Sequence, residues 1–494
     1  MHSTAKADSI KRKILALFLG PLFLLTILLT PCPDIFTLNA WHFVGVMGLM
    51  LTWWLFEPVN SAITALLPVV LFPVLGILDS YTTFKSFGSS YVFMFLGGFF
   101  IAFALEKHKF HYAIASKVIG CVGNSSDKVI LAVIITTYFL SMWISNTAVT
   151  IIMLPIVSSI INNLDVDLDE KTKRNFIISI LIATAFTSTI GGTATIIGSP
   201  PNLILKSFFQ ETFEVDIHFW GWLYFGLPLS LIMAFATWIV LTKILFPSNH
   251  GLTISSEMIK DQIEGAYVNS HQKTIGIIFL MAILSWTLRP LYESYLPFEI
   301  SDELIAIFFG LILFIIPTSL KQNKFLLDWN DTHRIPWGIL LLFGSGIAIS
   351  NAINELEIFN VIAAHVSDHS VTSKSIALGI IIIFTIFATE TINNTSLAIV
   401  MIPLVAALCI ATGLNPLAVS LMTVFLISSS FILAVATPSN SLIFINHHLT
   451  GYELMKAGSI LKVLFVILTI GAYYFGLFDI YKIDFEIIKP GNAV

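Results

Sequence analysis

The stretch "WISNTAVTIIMLP" (Trp143 to Pro155) sets Ser, Asn and Thr inside apolar sequence, and "ETINNTSLAIVMIP" (Glu390 to Pro403) repeats the arrangement much later. In both, an Asn-Thr pair opens an apolar run, and a proline closes it at the same spacing: Asn146 to Pro155, Asn394 to Pro403. Working outward from these two stretches, composition defines the solvent. The chain has 494 residues, 56% hydrophobic and only 11% charged, and its mean hydropathy is +0.89. Soluble domains carry roughly a quarter charged residues. Runs such as "ILALFLGPLFLLTILLT" (Ile14 to Thr30) are long enough for a bilayer and too continuous for a membrane β-barrel. This reads as an all-α polytopic membrane protein.

The polar stretches therefore lie where hydrocarbon is the surroundings. Apolar spans fall at roughly 13–31, 41–56, 60–78, 91–106, 176–208, 219–246, 275–289, 303–317, 336–353, 417–447 and 458–480. Two further segments, 129–161 and 375–412, contain the polar motifs. Each is too long for one crossing. Split at the motif, each arm of about 15 residues reaches about 22 Å, short of the ~30 Å hydrocarbon core. A re-entrant hairpin fits, its tip buried in protein or lining a wet cavity. Lys11, Arg12 and Lys13 precede the first run, but no small-residue cleavage site follows, so we expect an uncleaved span.

Basic residues fix the sidedness. With the N-terminus inside and each hairpin returning to its own face, most Lys and Arg fall inside, among them Lys107, Lys128, Lys171, Lys243, Lys324, Arg334, Lys456 and Lys462. Lys85, Arg289, Lys374, Lys482 and Lys489 fall outside, as the positive-inside rule requires. Lys206, inside a span, is expected to snorkel. The expectation is eleven transmembrane helices plus two opposed hairpins, with the N-terminus cytoplasmic and the C-terminus outside. Segment 248–273 reads as a connecting loop, and His447-His448 as the inner end of a span. Three scattered cysteines, Cys32, Cys121 and Cys409, indicate neither a disulfide frame nor a metal site.

A repeat is visible. "FLGGFFIA" (Phe95 to Ala102) and "LFGSGIA" (Leu342 to Ala348) each precede a hairpin. Each hairpin is followed by a proline-broken span, "GGTATIIGSPPNLI" (Gly191 to Ile204) or "LAVATPSNSLIF" (Leu433 to Phe444). Equivalent elements stand an odd number of crossings apart, so the halves are inverted, as in secondary transporters. Pro200-Pro201 and Pro438 should open their spans into half-helices. Half-helix N-termini suit a carboxylate, while C-terminal carbonyls suit a hard cation such as Na⁺. No Arg or Lys lies at either tip. Ser, Thr and Asn in membrane helices also serve as interhelical glue, and the glycine runs read as close packing. Glu390 fits a functional carboxylate or a buried acceptor equally well.

Taken together, "ISNTA", "IGSPPNLI", "TETINNT" and "ATPSN" resemble the divalent anion:sodium symporter (DASS) family along nearly the whole chain. The resemblance implies a dimeric elevator transporter of dicarboxylates, citrate or sulfate in the plasma membrane, binding small dianions rather than nucleic acid. It places substrate at Ser145, Asn146, Thr147, Ser199 and Pro200 from one half, and at Asn393, Asn394, Thr395, Thr437 and Pro438 from the other. One Na⁺ would sit at Ser141, Ser145, Asn146 and Gly198, and a second at Thr389, Ile392, Asn394 and Ala436. No other cofactor is implied. The second half departs from the pattern at Asn393, usually Ser, and at Ser439, often Pro. That departure weakens the second cation site, so we expect dicarboxylate exchange ahead of the alternative, Na⁺ symport. A mobile transport domain is expected at 129–246 and 375–494, on a scaffold of 1–128 and 247–374. A channel would show a continuous polar stripe instead, and a membrane-embedded enzyme a nucleophile–base or metal pair; the sequence shows neither.

Overall fold

Caps and prolines punctuate a chain built almost wholly of helices. The computed structural model describes residues 2–110, 125–162, 169–248, 270–319, 324–358, 374–444 and 448–479, with isolated positions between. Most of the expected 248–273 loop, Cys121 and His447 lie outside the described residues. Among the described residues, eight helices are long and apolar enough to cross a membrane, and shorter apolar helices accompany them. The span expected at 60–78 is instead two short helices, Ser61–Thr64 and Leu67–Val74. Asn60 caps the first, and Pro68 sits at the start of the second. The proline ring fits a first turn but cannot donate within a longer helix, so the run breaks there. A small antiparallel ribbon, Pro317–Ser319 with Lys324–Phe325, is an addition that the helical pattern does not foretell.

Both polar stretches are sharp turns between helices. The first hairpin joins Ser126–Ser141 to Asn146–Asn162, and the second joins Lys374–Ala388 to Asn394–Thr412. Both proline-broken spans are interrupted as expected. Glu170–Gly192 gives way to irregular backbone before Pro200–Phe213, and Pro416–Ile427 does so before Pro438–Leu442. The leading half of each broken span packs against both arms of its own hairpin. Every residue of Pro416–Ile427 is buried, and Phe176–Gly192 is buried throughout. These two rods are the interior around which the hairpins close.

Outside the hairpins and rods, Ser90–Lys107 and Asp302–Ile315 form the most extensive helix pair. Gly97 brings Ser90–Lys107 directly onto Asp302–Ile315, because a Cβ there would stand 2.4 Å from the Ala306 backbone. Gly344 accommodates Phe87 in the same way. The glycine runs are packing surfaces, as expected.

Two lysines depart from expectation. Lys206 does not snorkel: its side chain is 1% exposed and meets Asp216 at 3.0 Å, Asp302 at 3.1 Å and Glu303 at 3.7 Å. The carboxylate-rich start of Asp302–Ile315 lies beside it, and ion pairing replaces the solvent that snorkelling would otherwise seek. Lys462, placed in an inner loop above, is buried within Gly451–Tyr474. Its Nζ lies 2.5 Å from Glu390 and also donates to the Ile386 carbonyl at 2.6 Å.

Candidate substrate and cation site

Each hairpin tip is tied down by the same bonds. Ser141 Oγ donates to Asn146 Oδ1 at 3.0 Å and to the Ser188 carbonyl. In the other half, Thr389 Oγ1 donates to Asn394 Oδ1 at 3.2 Å and to the Ile427 carbonyl. Each hydroxyl therefore stitches its hairpin to the adjoining rod and aims the Asn side chain.

The irregular breaks repeat as well. Asn202 Nδ2 reaches back to the carbonyls of Gly192 and Thr195, at 2.9 and 2.7 Å. Asn440 Nδ2 reaches back by the same sequence offsets to Ser430 and Leu433, at 3.0 and 3.1 Å. Carbonyls freed by the proline break are thereby satisfied without water. Pro200 and Pro438 then start the second half-helices, behind Ser199 and Thr437. The "PPN" and "PSN" of the sequence carried this signal, since an Asn two residues past a half-helix start can reach back into the loop.

Four helix beginnings converge as a result on one cavity of about 410 Å³. All ten residues assigned to substrate in the sequence line it: Ser145, Asn146, Thr147, Ser199, Pro200, Asn393, Asn394, Thr395, Thr437 and Pro438. Thr189, which the sequence reading passed over, and Ser439, noted there only as a departure from the family pattern, also line it, and Phe99, Ile339 and Leu342 supply apolar wall. N-terminal helix ends carry partial positive charge, so the convergence favours an anion even without a lysine at the tips.

The oxygens beside the first tip fit a hard cation. A Cβ on Gly192 would stand 2.3 Å from Asn146 Oδ1 and 3.1 Å from the Gly198 carbonyl. On Gly198 it would stand 2.7 Å from the Gly192 carbonyl and 2.9 Å from the Ser141 carbonyl. Four oxygens thus crowd these two glycines, and neither position has room for a side chain. The second half is not identical. Ser430 takes the position of Gly192, and its Oγ lies 3.3 Å from Asn394 Oδ1 and 3.1 Å from Asn394 Nδ2. Asn393 is the helix cap: its Oδ1 accepts from Thr395 N at 3.0 Å. Glu390 is a structural acceptor, taking Ile432 N at 3.2 Å and Leu433 N at 3.0 Å while paired with Lys462. Met142, its counterpart in the first hairpin, accepts at its carbonyl from Thr195 Oγ1 instead.

Residues 11–478 match the family described as the sodium:sulfate symporter transmembrane region. The chain belongs to that family. It is a membrane transporter and not an enzyme. Among curated relatives, the sodium-dependent dicarboxylate transporter SdcS of Staphylococcus saprophyticus is 31% identical over 482 residues, covering 96% of this chain and 93% of its own. SdcS of Staphylococcus aureus is 31% identical over 487 residues, covering 96% and 92%. The Alcanivorax borkumensis YdaH transporter has a similar fold, with a TM-score of 0.56 at 11% identity over 83% of this chain and 89% of that one. The symporter family thus accounts for the helical fold and the doubled motif.

Proposed function

We propose that this symporter-family member carries C4/C5 dicarboxylates of the succinate, malate, fumarate and 2-oxoglutarate class, coupled to Na⁺. The observation that carries this reading is the single cavity joining both Asn-Thr tips to both proline-started half-helices. Substrate carboxylates take N–H groups, amides and hydroxyls from Ser145 to Thr147, Ser199, Asn393 to Thr395 and Thr437. Na⁺ supplies the positive charge that the tips lack, held by the oxygens around Ser141, Asn146 and Gly198 and, in the other half, by Thr389, Ile392, Asn394 and Ala436. The SdcS relatives, named as sodium-dependent dicarboxylate transporters, support the same assignment.

Exchange, our first expectation, gives way to symport. It rested on Asn393 and Ser439, but Asn393 is used as a cap and leaves the Thr389 and Asn394 oxygens together. Movement is of the elevator kind, with 129–246 and 375–494 sliding against 1–128 and 247–374, which also supplies the homodimer contact. The protein lies in the plasma membrane with its N-terminus cytoplasmic and its C-terminus outside.

Succinate uptake into empty proteoliposomes tests coupling. An inward Na⁺ gradient should drive accumulation. Uptake restricted to vesicles preloaded with dicarboxylate, and indifferent to Na⁺, would restore exchange.

A further inference from the structure

The cavity has a charged rim. Among the described residues lining it, only Glu106 and Arg334 carry charge. They come from elements far apart in sequence: Glu106 from the end of Ser90–Lys107, and Arg334 from the last position of the 3-10 turn Trp329–Arg334. We propose that Arg334 is the docking residue for a substrate carboxylate at this mouth, with Glu106 as the resident carboxylate that substrate displaces. This rests on the dicarboxylate reading above.

The backbone beneath Arg334 is pinned. Asp328 and Asp331 close a capping box at the start of its turn, and Lys107 donates to Asp331 at 2.7 Å and to Asp328 at 3.4 Å. The Arg334 head is held far less tightly. Its Nη1 lies 3.6 Å from Glu106 Oε1, beyond a direct hydrogen bond, and its side chain is 63% exposed. An exposed pair of this length contributes little, so a second carboxylate can replace Glu106 at small cost. Guanidinium also offers two parallel donors to a carboxylate, a geometry that a loosely placed Glu106 leaves unused.

The arrangement suits a site that must release as well as bind. The tips hold the dianion by dipoles and amides, while the rim holds the only fixed cation in the described lining. A dianion leaving the tips meets Arg334 next, and Glu106 re-forms the pair when substrate departs. Arg334 and Glu106 both lie in the segments assigned to the scaffold. The contact therefore exists only when the cavity opens on their side, and its effect must be confined to one membrane face.

The test is initial-rate succinate transport by the full-length protein in proteoliposomes, at saturating Na⁺, measured separately from each face. Arg334→Gln should raise the apparent KM about tenfold from the face bearing it, the loss of one charge-assisted carboxylate contact, and leave the opposite face unchanged. Glu106→Gln should shift KM the other way, and Arg334→Lys should recover part of the loss. Equal KM from both faces for Arg334→Gln and wild type would overturn the proposal. So would a KM raised equally by both Gln variants, since a merely structural pair fails whichever partner is removed. Monodisperse elution of each variant in detergent separates misfolding from lost docking. Wild-type protein that moves no dicarboxylate would sink the functional reading itself, whereas active wild type with an indifferent Arg334→Gln sinks only the docking role.

Discussion

At the residue scale, the two Asn side chains are the groups on which binding should depend most. Each is oriented by a hydroxyl five positions earlier, so removing the amide takes away both that tie and a polar group lining the cavity. Asn146→Ala and Asn394→Ala should each lower succinate uptake by one to two orders of magnitude, from ~1–3 kcal/mol for each unsatisfied partner, with surface expression unchanged. Normal uptake in both variants would reduce the motif to packing. Gly192→Ala is a sharper probe, since its Cβ would collide with Asn146 Oδ1. It should weaken Na⁺ activation at least about tenfold, while Ser430→Gly, at the matching position, should leave the protein folded and shift activation less. The titrating group Asp331 lies outside the spans. Burial draws its carboxyl upward, but the Asp328 N–H and Lys107 outweigh burial and hold it below the usual carboxylate range. A depressed native pKa gives stability that is present above the ordinary carboxylate value and lost as pH falls through the native one. Acidification below about pH 4 should accordingly lower the Tm of wild type more than that of Asp331→Asn, read by thermal unfolding in detergent.

At the element scale, the two halves secure their hairpins by different chemistry. The first uses the Thr195 hydroxyl on the Met142 carbonyl; the second uses the Glu390–Lys462 pair together with Ile432 N and Leu433 N. Glu390→Gln or Lys462→Met should each destabilise by about 3–5 kcal/mol, because each leaves a buried partner charge uncompensated. The double variant should recover much of that loss in thermal unfolding, and an additive double loss would refute the pairing. Hairpins and breaks were legible in the sequence because Asn-Thr and proline act locally, through capping and a missing N–H. The Lys462 pairing was not, because it joins positions far apart in the chain and a lone lysine near a span end reads as a loop charge. Arg334 and Glu106 escaped notice for the same reason, since only the folded chain brings them to one cavity. The broken 60–78 segment could have been read from Asn60, Pro68 and Pro73, but its apolar content outweighed them.

At the scale of the whole molecule, the cavity opens in one conformation and transport needs at least one more. Gly98, on Ser90–Lys107, lies against Ile197 in the first break, where a Cβ would come within 3.2 Å of the Ile197 side chain. Gly98→Cys and Ile197→Cys, in a background without Cys32, Cys121 and Cys409, put a cysteine pair at this contact for oxidative cross-linking. The cross-link should abolish uptake until reduced if the break moves against this helix. Full transport by fully cross-linked protein would exclude the elevator. Lys206 and Asp302, both buried, join these two groups of elements together with Asp216 and Glu303. The most direct test of the central claim, that dicarboxylate and Na⁺ bind together at the hairpin tips, is equilibrium binding of succinate to purified protein across a Na⁺ series. Coupled sites require each ligand to tighten the other by the same factor. Succinate affinity should rise with Na⁺ in wild type and be lost in Asn146→Ala and Asn394→Ala; affinity that is independent of Na⁺ and survives both substitutions would contradict it.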